Sequence, residues 1–148
     1  MKIIAAQDVD TAVAEADIIC TATTSSIPVF DGRLIKAGTH INGVGSFTPK
    51  MQEVDLVTVH RSRIVVDSRT AVWAEAGDLI IPLRNGDINE DHVFAELGEI
   101  VTGQITGRES YDQITFFKSV GVAVQDAAAA SIALKNAIDQ DLGITISL

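Results

Sequence analysis

The chain has 148 residues, with 20 Asp and Glu against 11 Lys and Arg, a formal charge of −9, 47% hydrophobic residues and one cysteine. That length makes one domain or a piece of a larger one. The apolar fraction excludes disorder, and the acidic balance excludes nucleic acid as a partner because little is available to neutralise phosphates. Only 5% of residues are aromatic, so the core is drawn from Ala, Val, Ile and Leu. Cys20 alone cannot close an internal disulfide, which points to a reducing, cytoplasmic setting. No run reaches the roughly 18 apolar residues of a membrane span, and the basic-then-apolar pattern of a leader is lacking.

In chain order, residues 2–6 read as a short buried strand, and Asp8 or Asp10 caps a helix carrying Val9, Ala12, Val13 and Ala16. Residues 17–22 form an apolar run expected to be a strand covered on both faces, with Cys20 a small core residue. A loop over 23–33 and a single helical turn over 34–38 follow, then a strand from Thr39 opening into a second loop at Gly45–Pro49. Residues 50–57 allow a short helix or a loop. Residues 63–67 read as a strand, Ser68 as the cap of a helix over 69–76, and Gly77 as its terminator. The stretch 78–90, with Pro82 and Asn85-Gly86, reads as irregular, and 90–102 as a helix with Val93, Phe94, Leu97 and Val101 on one stripe. The last strand covers 114–118. An alanine-rich helix over 122–138 is expected to bury Val122, Ala129, Ile132, Ala133 and Ala137, and the tail from Gly143 to Leu148 to add a strand. Alternating strands and helices specify a single α/β unit, a mostly parallel sheet with helices on both faces.

Ligands of open parallel sheets bind beyond the carboxyl ends of the strands. Three such ends are polar or glycine-rich: Thr21-Ala22-Thr23, Gly43-Val44-Gly45-Ser46 and Lys118-Ser119-Val120-Gly121. Hydroxyls and bare main chain there suit a carboxamide or phosphate oxygens, while ordinary turns use the same residues. Gly43-x-Gly45 is rejected as a phosphate loop, since Thr48 stands where a third glycine belongs and Pro49 follows. His40, His60 and His92 lie on three different elements, so no metal site is expected. Asp67, Glu75 and Asp78 could form an acid/base pair but read more simply as solvated helix-end carboxylates, with Glu96 and Glu99 as surface. Lys118 is either a counter-charge for an anionic ligand or a surface lysine, and Ser119 and Gly121 could simply cap the helix that follows.

Ala16-Asp-Ile-Ile-Cys-Thr-Ala-Thr-Thr-Ser25, the stretch Gly38 to Asp55 with Gly43-Val-Gly-Ser-Phe-Thr-Pro49, Val65-Val-Asp-Ser-Arg69, Glu75-Ala-Gly-Asp78, Glu96-Leu-Gly-Glu-Ile100 and Phe117-Lys-Ser-Val-Gly-Val-Ala-Val-Gln-Asp126 resemble, in order and approximate spacing, the ornithine cyclodeaminase/mu-crystallin family. The resemblance runs from about residue 9 to 135. It implies a Rossmann-type NAD(P) domain joined to a second domain that supplies substrate contacts and a dimer interface, with hydride transfer between nicotinamide and an amino-acid or imine carbon. Thr21, Ala22, Thr23, Val44, Gly45, Ser46, Ser119, Val120 and Gly121 are then the cofactor-lining positions, and no catalytic residue is assigned. The cyclodeaminase subgroup places a catalytic aspartate where Phe47 stands, so Gly45-Ser-Phe-Thr-Pro49 is closer to the imine-reductase and mu-crystallin-like branch.

Family members are about twice this length. The resemblance implies that the N-terminal domain and the first βαβ unit, with its glycine-rich phosphate loop, are absent from these 148 residues. The expectation is the cofactor-domain part of an NAD(P)H-dependent reductase of cyclic ketimines, inactive alone, with weak or absent NAD(P)(H) binding. A small imino-acid or amino-acid substrate belongs to the full-length parent. The alternatives are a parent of the ornithine cyclodeaminase or alanine dehydrogenase type, a non-catalytic NADPH-binding or truncated protein, and a split enzyme completed by a second chain. Uncovered sheet surface makes a homodimer or higher oligomer the expected state.

Overall fold

The computed structural model describes residues 3–144 and 146. Five strands, β1 (Ile18–Thr21), β2 (His40–Gly43), β3 (Arg63–Val66), β4 (Val93–Glu96) and β5 (Thr115–Lys118), pair in the order β1-β2-β5-β3-β4, every pair parallel. The last strand in sequence therefore fills the centre of the sheet. Six α-helices accompany the strands: α1 (Val9–Glu15), α2 (Leu56–Arg61), α3 (Arg69–Glu75), α4 (Gly77–Asn85), α5 (Leu97–Val101) and α6 (Ala123–Asp139).

The core lies on one face. Ile41, Ile64, Val66 and Phe116 pack there against Val13 of α1, Val59 of α2, Val72 of α3 and Leu79 of α4. Phe116 is wholly buried in the central strand, so Phe116→Ala is expected to cost about 3–5 kcal/mol, read by urea unfolding. The other face is thinly covered. His40, Asn42, Arg63, Val65, Thr115 and Phe117 line a hollow of about 490 Å3 that, among the described residues, α5 and residues 107–108 border.

Helix starts follow the polar residues before them. The Asp8 carboxylate accepts from the Thr11 N–H, Asp55 from Thr58 and Ser68 from Ala71, each satisfying a donor of a first turn.

Several expectations change. Residues 3–6 form no strand and are exposed; residue 2 of that segment lies outside the described residues. β1 is an edge strand with one face open, so Cys20 is exposed and not a core residue. DTNB is expected to titrate Cys20 fully in the native chain, without denaturant. The turn over 34–38 is instead a 3-10 turn over Gly32–Leu34, and residues 50–55 stay irregular ahead of α2.

Gly77 does not stop α3. It opens α4, where a Cβ would come within 2.8 Å of the Thr48 carbonyl oxygen and still nearer that of Met51. Close approach, not a turn, explains that glycine. The true stop is Gly86 at φ +79, beyond Pro82 inside the helix.

The helix expected over 90–102 is a 3-10 turn (Glu90–His92), then β4, then the short α5. Val93 and Ala95 are buried while Phe94 and Glu96 are half-buried, a period of two that parallel pairing with β3 enforces. α6 forms over the expected residues but buries none of them; Val124, Ile132, Leu134 and Ile138 are all more than half exposed. Its apolar side needs a partner that the described residues do not supply. In the tail, Gly143, Ile144 and Ile146 lie in no strand and are exposed, and residues 145, 147 and 148 fall outside the described residues.

Candidate functional site at the carboxyl ends of the strands

The strand register sets the site. Thr21 pairs with Gly43, Gly43 with Lys118, and Val66 with Lys118, so four strands end flush. The loops after them leave the sheet side by side, and the three loops read from sequence become one surface.

Two carboxylates bind these loops together. Glu53, fully buried, accepts from the Thr21 hydroxyl (2.9 Å), the Thr23 N–H (2.5 Å), the Gly45 N–H (2.8 Å) and the Ser46 N–H (3.2 Å). The β1 and β2 loops are thereby tied to one side chain. A Cβ on Gly45 would run into Glu53 and the Thr23 backbone, which is why that position holds glycine. Burial works against the charge on Glu53, but the Thr23, Thr21 and Gly45 donors outweigh it and hold its carboxyl below the ordinary range.

Asp67, just beyond β3, does the same for the third loop. Its Oδ2 accepts from the Ser119 hydroxyl (2.7 Å), the Val120 N–H (2.9 Å) and the Gly121 N–H (2.8 Å), while Oδ1 accepts from the Ser68 N–H (2.8 Å).

A third carboxylate lies beneath. Asp78 in the first turn of α4 is buried, and its Oδ1 accepts from the N–H groups of Glu53 (2.6 Å) and Val54 (3.1 Å). The Ser46 hydroxyl donates to the Met51 carbonyl (2.8 Å) and accepts from the Asp78 N–H (3.2 Å). Asp78 is therefore no solvated helix-end carboxylate, and Lys118, fully buried and 3.3 Å from Asp78 Oδ2, is neither a surface lysine nor open to a ligand. Glu96 and Glu99 do lie at the margin: Glu96 accepts from the Arg69 N–H, and Glu99 pairs with Arg69 at 3.0 Å.

All nine sequence-derived positions fall at this end of the sheet, but the N–H groups of Thr23, Gly45, Ser46, Val120 and Gly121 and the hydroxyls of Thr21 and Ser119 point inward, into carboxylates. The outward face is different in character. The carbonyls of Ala22, Val44 and Val120 accept no hydrogen bond among the described residues, Val44 and Phe47 are each nearly half exposed, and open space lies beside Gly121. Such a surface offers acceptors and apolar contact. The N–H groups of Ala22, Thr24, Val122 and Ala123 likewise donate to no group among the described residues.

Glu53 and the clamping role of Asp67 escaped the sequence reading. Glu53 stands in an irregular loop, and only the tertiary approach of two other loops gives it partners. Among the described residues no three His, Cys, Asp or Glu side chains gather as metal ligands.

A parallel sheet with its loops gathered at the carboxyl edge defines the class as an α/β, Rossmann-like domain. Residues 1–141 match the profile of the ornithine cyclodeaminase/mu-crystallin family, and the chain belongs to that family. It is 45% identical to a Delta(1)-pyrroline-2-carboxylate reductase of Bacillus cereus over 133 residues, which is 89% of this chain and 41% of that protein. The structure of the Thermococcus litoralis Delta(1)-pyrroline-2-carboxylate reductase, in complex with NADH and L-proline, superposes with a TM-score of 0.89 at 43% identity, over 95% of this chain and 44% of that one. An archaeal alanine dehydrogenase dimer with bound NAD superposes with a TM-score of 0.85 at 34% identity, over 96% of this chain and 44% of that one. The chain thus spans less than half the length of these relatives. No helix of the described residues is long and apolar enough to cross a membrane.

Proposed function

We propose that these residues form the nicotinamide-side part of an NAD(P)H-dependent reductase of cyclic ketimines, with pyrroline-2-carboxylate as the substrate to test first. The observation that carries this reading is the gathering of three strand-end loops into one surface, where Val44 is nearly half exposed and open space lies beside Gly121. A carboxamide has an NH2 group to give to the carbonyls of Ala22, Val44 or Val120, and a flat ring can lie against Val44 and beside Gly121. The N–H groups of Thr23, Gly45, Ser46, Val120 and Gly121 go to Glu53 and Asp67 and do not serve a diphosphate. The three loops are therefore assigned to the ring end of the cofactor. When bound, the nicotinamide supplies the hydride; the chain's own part is to orient the ring and keep water from one side of it. Phe47, half exposed at the rim, puts an aromatic ring where the cyclodeaminase branch has its aspartate, which favours imine reduction over deamination.

The substrate contacts and the proton donor are assigned to sequence outside this chain. Reduction of pyrroline-2-carboxylate with NADPH, followed at the nicotinamide absorbance, is expected to show little or no turnover by the 148 residues alone. Restoring the upstream half of a close relative is expected to produce it. Robust turnover by the chain alone, or none by the restored protein, would refute the proposal.

We also propose that the chain self-associates through α6, whose exposed Val124, Ile132, Leu134 and Ile138 need cover. Sedimentation velocity is expected to give a dimer or larger; a monodisperse monomer at high concentration counts against it.

A further inference from the structure

Lys118 ends the central strand with its ammonium fully buried. Gly43, its register neighbour, leaves room for it: a Cβ there would lie 3.6 Å from Lys118 Cδ and 2.7 Å from the Phe116 ring. The ammonium is 3.3 Å from Asp78 Oδ2, yet neither Nζ nor Oδ2 makes a hydrogen bond with any described group. Their contact is an ion pair. Asp78 faces Lys118 from α4, Glu53 from the loop after β2 and Asp67 from the end of β3, and all three act on it electrostatically. Lys118 thus pairs with Asp78 and feels the charges of Glu53 and Asp67, the two carboxylates that hold the loops of the site.

We propose that Lys118 is a positioning residue, the shared counter-charge that lets Glu53, Asp67 and Asp78 stand close enough to keep the three loops in one surface. That these loops serve a cofactor rests on the proposed function; that Lys118 holds them together does not.

The charge and the packing of Lys118 separate cleanly. Methionine has a similar length and a better apolar stem, so a residue needed only to fill space would tolerate Lys118→Met or gain from it. If the charge matters, Lys118→Met leaves carboxylates facing one another without relief. Burial already pushes the Asp78 carboxyl above its ordinary range, against the pull of Lys118 and of the Glu53 and Val54 N–H groups; losing Lys118 pushes it further. Acid should then mend the variant, because a protonated Asp78 no longer repels its neighbours.

The test follows the amide resonances of Thr23, Gly45, Ser46, Val120 and Gly121 in the 148-residue chain, with Ile64 and Phe116 as core references. At about pH 8, Lys118→Met is expected to lower the exchange protection of the loop amides by about tenfold or more relative to the core. At about pH 5 that protection should return. The double variant Lys118→Met/Asp78→Asn keeps an acceptor for the Glu53 and Val54 N–H groups without the charge, and should hold its loops at both pH values. Native protection in Lys118→Met at pH 8 overturns the proposal. So does a loss equal at both pH values, or global unfolding that the double variant does not repair. A parallel NADH titration of the protein with its upstream half restored bears only on the proposed function: no binding there, with loop variants that behave as expected, removes the cofactor reading and leaves Lys118 its role.

Discussion

Glu53→Ala is expected to lower unfolding stability by about 4 kcal/mol, measured by urea denaturation. The buried donors it would strand are the Gly45 and Ser46 N–H groups and the Thr21 hydroxyl, each costing about 1–3 kcal/mol when left unpaired. The exposed Thr23 N–H can turn to water and adds little. For a domain whose total stability is about 5–15 kcal/mol, this is a large fraction. Glu53→Gln preserves the volume and one acceptor and should cost less than half as much. The sign of the pH dependence follows from the lowered carboxyl of Glu53. Its stabilisation is complete above the ordinary carboxylate value of 4.5 and is lost as pH falls below it, through the folded-state value. Asp78, raised by burial, works the other way and gains stability on acidification. Glu53→Gln should therefore flatten the acid limb of the stability profile, and an unchanged limb would show that Glu53 is not the clamp.

The second large effect concerns the nucleotide. If only the ring end of the cofactor meets this chain, reduced nicotinamide mononucleotide and NADH should bind with affinities within about threefold of each other. Restoring the upstream half should raise the affinity for NADH by about two orders of magnitude or more. Two recovered charge-assisted contacts of about 1.5–3 kcal/mol each suffice for that gain. Fluorescence titration of both ligands against both proteins decides it. Low-micromolar NADH binding by the 148 residues alone would mean that a diphosphate grip exists among them after all.

Strands at 18–21, 40–43, 63–66 and 115–118 were legible because short apolar runs end there in polar residues or glycine. β4 was not, since Val93, Phe94, Leu97 and Val101 satisfy helical spacing as well as they satisfy a strand followed by a helical turn; pairing with β3 decides between them. α4 was hidden by Pro82 and Asn85-Gly86, which read as loop although the helix runs through one and stops at the other. The same logic divides the site. The loops could be placed because strand ends are local features of a sequence. Their polarity could not, because whether the Gly45 or Val120 N–H faces a ligand or a carboxylate depends on where Glu53 and Asp67 arrive from distant segments. α6 was correct in extent, and its lack of burial follows from what surrounds it, which no helical pattern records.

The central place of β5 orders the birth of the molecule. β1 with β2, and β3 with β4, are made first, yet these two ribbons touch in the sheet only through the strand that comes last. A chain arrested before residue 115 therefore holds two small half-sheets that do not pair with each other, each too small to persist in water as a sheet. Folding waits for Thr115–Lys118 to leave the ribosome and slide between them. Until it does, β2 and β3 each offer an unclaimed edge to chaperones and to one another.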